Sequence, residues 1–555
     1  MALLTMLLGM AVLILLTTKV YSDAPPIADK VMTAEGTIVY SGDEVRAGQL
    51  VFLKYALMDN GSIWGHGALL GPDFSAEYLH TLAGFSATHL SQQRFNKSMT
   101  ELTAFERASI EAEVRIELKL NRYDPPTGVL RVNEAYAEWF ELQSDAWRKY
   151  FSDPAGNGGL SSKTISDPIE LRQLSAFVAW TAWASVADRP GAPHSYTNNF
   201  PYDLPYDPVA GNTPTGDALM WSALSLLFLL GGTALVLLAF GKFDYLGWKA
   251  SRGFVHAAPL GSRITHAQRA TLKYFALVTL LLLAQTLIGG ALAHYRIDPE
   301  SFYGFDLSTV LPSNLLRTWH LQLAIFWIAT SYVAGALFLA AWLGGPDPAH
   351  QKTCVNVLFV ALVVVVVGSL VGEWAGIRQQ LPDLWFWFGH QGWEYFELGR
   401  AWQMLLAIAL LFWFALLFRA LRPALRDPVR RKIAQLFLCA AIAIPVFYLP
   451  AMFFDGDSHF SIVDTWRFWI IHLWVEGFFE FFVTVMVAVI YWHARSLAYT
   501  GRDLARLLEW KCLPVHAVFI VFGVVPIAIA AIRAYLFARV PRGVTEPASH
   551  VQGSL

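Results

Sequence analysis

Residues 464–494 read DTWRFWIIHLWVEGFFEFFVTVMVAVIYWHA, a run long enough to cross a bilayer as one helix. His472, Glu476 and Glu480 interrupt its apolar and aromatic side chains. Ionisable groups are expensive at that depth and mark functional faces by default. Helical residues four apart stack one turn above each other, so His472 and Glu476 share a face and Glu480 lies a turn further along its edge. An imidazole beside a carboxylate suits a first-row metal such as iron, with other helices supplying the remaining ligands. The alternative is a hydrogen-bonded packing histidine with paired or protonated glutamates.

Outward from that stretch, 555 residues with 55% hydrophobic side chains are too apolar for an ordinary soluble protein. They suffice for a many-helix membrane protein plus one soluble domain. A net charge of −2 argues against nucleic acid. Cys354, Cys439 and Cys512 are far apart in or beside apolar runs, which indicates neither a disulfide framework nor a cysteine metal cluster. No Cys-x-x-Cys-His occurs, which excludes a covalently attached c-type heme.

Residues 1–21 lack the basic start and cleavage site of a typical signal peptide and read as a retained transmembrane anchor, with the signal peptide as alternative. Residues 22–216 are charged and carry Pro and Gly, with helical patterns at 102–120 and 133–150: one extramembrane domain, closed by the linker SYTNNFPYDLPYDPVAGNTPTGD. Apolar spans follow near 217–240, 271–293, 314–343, 353–372, 402–421, 433–454, 464–494 and 514–538. With the anchor they make about nine transmembrane helices. Residues 217–494 are read as the membrane core and 495–555 as a tail with one further hydrophobic helix.

Two connections are basic, one with Lys242, Lys249, Arg252, Arg263 and Arg269, the other with Arg419, Arg422, Arg426, Arg430, Arg431 and Lys432. Two on the opposite face are acidic, with Asp298, Glu300 and Asp306 and with Asp455, Asp457 and Asp464. The basic side is cytoplasmic, which puts the soluble domain on the periplasmic or outer side of a bacterial-type inner membrane. In this topology His320 and His472 lie roughly 9 and 12 Å into their helices at 1.5 Å per residue. Ligands of adjacent redox centres would share such a level, whereas packed core histidines have no reason to.

The loop GHQGWEYFELGRAWQ places Glu394 and Glu397 three apart, on one face if helical. They suit a hard cation such as calcium, a proton entry, or a solvated helix start. His294 with Asp298 and Glu300, at the same outer face, is a candidate acceptor of quinol protons.

These segments resemble the single-chain, quinol-dependent nitric oxide reductases of the heme-copper oxidase superfamily. TWHLQLAIFWIATSYVAGALFLA, GHQGWEYFELGRAWQ and FWIIHLWVEGFFE are similar to consecutive core segments of that family. EVRAGQLVFLKYALMDNGSIWGHGALLGPDFSAEYLH is similar to its fused cytochrome-c-like domain. The resemblance implies an all-α polytopic membrane protein with an extracytoplasmic, heme-less cytochrome-c-like domain. It implies low-spin heme b on His320, a high-spin heme b3, and a non-heme iron on His472 and Glu476. Glu480 is implied in proton delivery, Glu394 in holding a calcium, and Glu397 in the proton route beside it. The implied reaction reduces two nitric oxide molecules to nitrous oxide and water with electrons from quinol.

The chain departs from the family twice. Gly67-Ala68-Leu69 stands where the family reads Gly-Ala-Tyr, which removes a side-chain contact to the calcium. After His472 only His493, His516 and His550 follow, without the family's His-His pair or His-x-His. One histidine and one carboxylate close no iron site, and one histidine supplies only one axial position of a six-coordinate heme. The expectation is an incomplete heme-copper-oxidase-like bundle, inactive alone and in need of a complementary C-terminal fragment. A terminal oxygen reductase is the competing enzyme, and it is disfavoured because a glutamate and no tyrosine follows His472. A non-catalytic remnant of a frameshifted or split gene is the reading from outside enzymology.

Overall fold

The computed structural model describes residues 2–153, 155–192, 194–197, 216–243, 264–302 and 304–498, with the side chains of Glu476, Gly477 and Phe478 outside that description. The linker from 198, the basic positions Lys249, Arg252 and Arg263, the span at 514–538, His516 and His550 lie outside the described residues. The chain divides into two compact units, 1–255 with 260–487, and 256–259 with 488–555. Of the second, only the helical residues 488–498 are described.

The first unit opens with helix α1, Ala2–Ser22. The soluble lobe follows with α2 (Gly42–Lys54), α3 (Phe74–Phe95), α4 (Ala104–Lys119), α5 (Glu134–Ser152) and α6 (Pro168–Val186). Their starts are written in local chemistry. Ser41 and Thr103 accept from the backbone of Glu44 and Glu106, whose side chains bond back to the cap, while Asp73, Asn133 and Asp167 cap the other three. Pro168 stands at the head of α6, where its missing N–H costs nothing. A four-stranded sheet lies beside them in the order β2 (Ile38–Ser41), β1 (Lys30–Met32), β6 (Val129–Arg131), β5 (Tyr123–Asp124). The pair β1–β6 is parallel, Lys30 opposite Val129, and the other two are antiparallel.

Helices α2 and α6 cross at Gly48, where an added Cβ would stand 1.9 Å from the Gln173 carbonyl oxygen. That approach leaves room around Phe52, Phe74 and Phe177, whose ring centroids lie 5.5 to 5.6 Å from Phe52. Trp64 and Trp180 close the aromatic core at 5.7 Å.

In the membrane part, α7 (Gly216–Phe243) precedes six described helices long and apolar enough to span: α8 (His266–Ile297), α9 (Ser313–Gly344), α10 (Gln351–Ile377), α11 (Arg400–Arg426), α12 (Arg431–Met452) and the stretch Phe460–Val487. The first four contain the apolar runs read in the sequence, while the last two end at Met452 and Val487, short of the expected 454 and 494. On α8, Leu280, Leu283 and Leu287 are more than half exposed, as lipid-facing residues are. Residues 464–494 do not form one uniform helix. They belong to α13 (Phe460–Phe468), a widened π-helical segment over Trp469–Phe479, and α14 (Glu480–Ala498).

Candidate functional site

Phe460, the first residue of α13, reaches out of the membrane part into the aromatic core of the soluble lobe. Its ring lies 5.3 Å from Trp64, 5.5 Å from Phe177 and 4.9 Å from Trp393. The helix that carries His472 is thereby pinned at its outer end. One turn in, Asp464 and Arg467 form the centre of a buried ion network. Arg467, 2% exposed, donates to Asp464 Oδ1 at 2.9 and 3.1 Å and to Glu394 Oε2 at 3.4 Å. Arg317 on α9 holds the other oxygen of Glu394 at 2.5 Å. His66, on the short strand β4 (His66–Gly67), completes the chain with Nδ1 2.8 Å from Asp464 Oδ2.

His66, Arg317, Glu394 and Arg467 line one cavity of about 630 Å³, with Arg296, Gly289 and Leu69 on its other walls and His472 at its membrane end. That volume is within the range of small-molecule and cofactor sites. Tyr395, also on the wall, sits at φ 65°, a left-handed conformation that bulky residues adopt only when the surrounding fold imposes it.

The segment carrying Glu394 and Glu397 is not helical; it threads between lobe and membrane helices, and an added Cβ on Gly392, at φ +72°, would stand 2.1 Å from the Leu53 carbonyl oxygen. A solvated helix start is therefore not what these glutamates form. Both are buried, Glu397 completely. Glu397 Oε1 accepts from the Tyr395 backbone N–H at 2.7 Å, while Oε2 meets no donor among the described residues. Burial, together with the negative charges of Asp59 and Glu373, pushes the Glu397 carboxyl well above its usual range. Asp59, fully buried in the lobe, accepts from Thr318 Oγ1 at 2.9 Å. Burial raises it to about 7, with Arg317 opposing and Glu394 adding to the rise. Glu373 on α10 is fully buried, its two carboxylate oxygens without a hydrogen-bond partner among the described residues.

His320 fits an axial ligand. Its Nδ1 lies 3.2 Å from the Gln285 carbonyl oxygen, the outer-shell contact that fixes a ligating imidazole and leaves Nε2 for a metal. Gly289 makes room for it, since a Cβ there would stand 2.6 Å from His320 Cε1. Arg296, Arg317 and Arg467 on the neighbouring cavity wall suit a carboxylate-bearing cofactor.

The implied iron and calcium fare differently. His472 and Glu480 are exposed at the surface of the described bundle rather than turned into it. His472 packs on Phe468 at 4.5 Å, and Glu476 lies in the widened segment with its side chain outside the described residues. Among the described residues no group of three or more His, Cys, Asp or Glu side chains could hold a metal, so they do not close an iron site. Glu394 gives both oxygens to guanidinium groups, and Leu69 is 75% exposed. A cation that asks for six to eight oxygens finds a poor fit there.

The expected quinol residues are apart in role. His294 Nε2 lies 2.8 Å from the Ser301 carbonyl oxygen and its ring packs on Phe302 at 4.6 Å, whereas Glu300 is exposed. Asp59, His66, Arg317 and Arg467 are site residues without a local sequence signal, whereas Glu373, also outside the expected site, does carry one as a lone carboxylate in an apolar run.

Comparison with known proteins matches residues 28–202 to the NorB cytochrome c-like domain of nitric oxide reductase, and residues 269–507 to cytochrome c and quinol oxidase polypeptide I. The NorB-type nitric oxide reductase chain of Stutzerimonas stutzeri is 21% identical over 248 residues, which cover 44% of this chain and 48% of that protein. The chain thus spans about half the length of the curated relative it matches.

Proposed function

Because this chain belongs to the heme-copper oxidase family, as a multi-pass membrane protein of the NorB type, we propose that it is the core of a quinol-dependent nitric oxide reductase. The reaction is the reduction of two nitric oxide molecules to nitrous oxide and water with two electrons and two protons. One observation carries the proposal. A lobe of nitric oxide reductase type sits, through Asp59–Thr318 and His66–Asp464, over the cavity into which His472 opens.

Hemes b and a non-heme iron, when bound, would relay the two electrons given up by quinol and supply the Lewis acid. His320 holds the low-spin heme from α9. The arginines at the cavity wall orient its carboxylates, and Glu397 holds a proton close to them. His472 and Glu476 would form part of the iron face, with the remaining imidazoles coming from a complementary C-terminal fragment. Quinol gives up its protons at the outer face, with His294 and Glu300 as the acceptors. The soluble lobe lies on the periplasmic side, as the basic loops at the opposite face support.

The test is turnover of ¹⁵N-labelled nitric oxide by membranes containing the chain, a complementary C-terminal fragment and the native cofactors, with a reduced quinone as donor. Labelled nitrous oxide is the expected product, and Glu476→Ala is expected to abolish it. Consumption of oxygen with none of nitric oxide would replace this reading by an oxygen reductase.

A further inference from the structure

His66 belongs to the soluble lobe, yet it faces the redox cavity. Its partner Asp464 is also bonded twice by Arg467. A carboxylate paired with a guanidinium is ionised and only accepts, so His66 Nδ1 carries the hydrogen and Nε2 is the nitrogen free to exchange protons. The imidazole is 36% exposed and the Asp464 side chain 13%. The ring therefore meets water while its orienting carboxylate is shut in.

His66 and His472 line the same cavity on either side of Phe468, at ring distances of 5.1 and 4.5 Å. The charged groups facing His66 across it are Asp464 and Arg467 from α13, Glu394 from the threaded loop, Arg317 from α9 and Arg296 from α8. Glu394 is engaged by both Arg317 and Arg467. Imidazole is the side-chain type whose ordinary charge change falls near neutral pH.

We propose that His66 carries protons between the outer aqueous phase and the cavity, with Asp464 as the positioning residue that stabilises the imidazolium. The proposal rests on the nitric oxide reading, whose reaction consumes two protons. In each cycle the Nε2–H bond breaks as the proton passes to an oxygen or nitrogen acceptor in the cavity, and the neutral ring takes a proton back from water. No electron moves through it.

The experiment uses the protein purified with its native cofactors. Proton uptake on chemical reduction is followed with a pH-indicator dye in the absence of nitric oxide, and nitric oxide consumption is measured separately. His66→Ala is expected to slow proton uptake roughly a hundredfold, the low end of what a positioned acid-base group supplies. Free imidazole should restore part of the rate. Asp464→Asn should slow uptake and move its pH profile to lower pH, because the imidazolium loses its counter-charge. Unchanged uptake in His66→Ala, or a loss that imidazole does not recover, overturns the proposal. His66-dependent uptake in a protein that consumes no nitric oxide keeps the proposal and sinks the nitric oxide reading; the reverse pattern separates them the other way.

Discussion

Asp59 of the soluble lobe accepts a hydrogen bond from Thr318 of a membrane helix at 2.9 Å, and the carboxylate has no exposed surface. A buried acid with one donor is more stable protonated. With its value raised from 3.8 to about 7, the fold is favoured fully below the lower figure and loses that contribution as pH rises to the higher one. Asp59→Asn should therefore gain stability relative to the native chain as pH rises from 4 to 7, then level off. Thermal unfolding in detergent across that range checks it, and a constant difference would refute the assignment.

Arg467 links two carboxylates, Asp464 on its own helix and Glu394 in the threaded loop. Removing one partner of a buried ion pair typically costs about 3–5 kcal/mol. Arg467→Ala should lower the unfolding temperature by several degrees and expose the lobe's junction to protease. Double replacement with Glu394→Gln should cost less than the sum of the two single changes, because the stranded charge is then gone. Additive losses would mean that the pair is not coupled.

Gly48 permits the crossing of α2 and α6. A Cβ 1.9 Å from the Gln173 carbonyl oxygen forces the helices apart, and overpacking of this kind costs typically about 1–3 kcal/mol or more. Gly48→Ala should loosen the lobe core, seen as increased fluorescence quenching of Trp64 and Trp180 by a soluble quencher. Gly84, with nothing within 4 Å of an added Cβ, is the control that should tolerate alanine.

The guanidinium groups on Glu394 predict indifference to calcium. Chelation should leave the unfolding temperature of the native chain within a degree, whereas Glu394→Ala should lower it. A large drop on chelation, reversed by added calcium, would show that a cation competes successfully with Arg317 and Arg467.

Much of the frame was legible because bilayer thickness acts on composition directly: the six described spans overlap the apolar runs, and the helices at 104–119 and 134–152 fall on the expected patterns. The site was less legible. Asp59 precedes Asn60-Gly61 and reads locally as a turn; its burial comes from Thr318, 259 residues away. The arginines look like ordinary interfacial charges until α9 and α13 bring them to one carboxylate. The widening at 469–479 leaves no period in the sequence, so the exposed positions of His472 and Glu480 had no local signal. Glu373 did have one, as a lone carboxylate in the apolar run GSLVGEWAG.

The lobe is tied to the rest of the first unit at well-separated points of the sequence. Gln49 Nε2 donates to the carbonyls of Gly456 and Ser458, Asn314 Nδ2 to that of Tyr55, and Gln379 Nε2 to that of Lys54. Phe460 enters its core as a fourth tie. Ties strung along one helix, with a ring from the other side set into the core behind it, leave the lobe little freedom to swing away. A mobile electron carrier must dock and depart, and this lobe, so fastened, can do neither. Its seat behaves as masonry rather than as a berth, and traffic to the cavity has to pass through the joints between its stones.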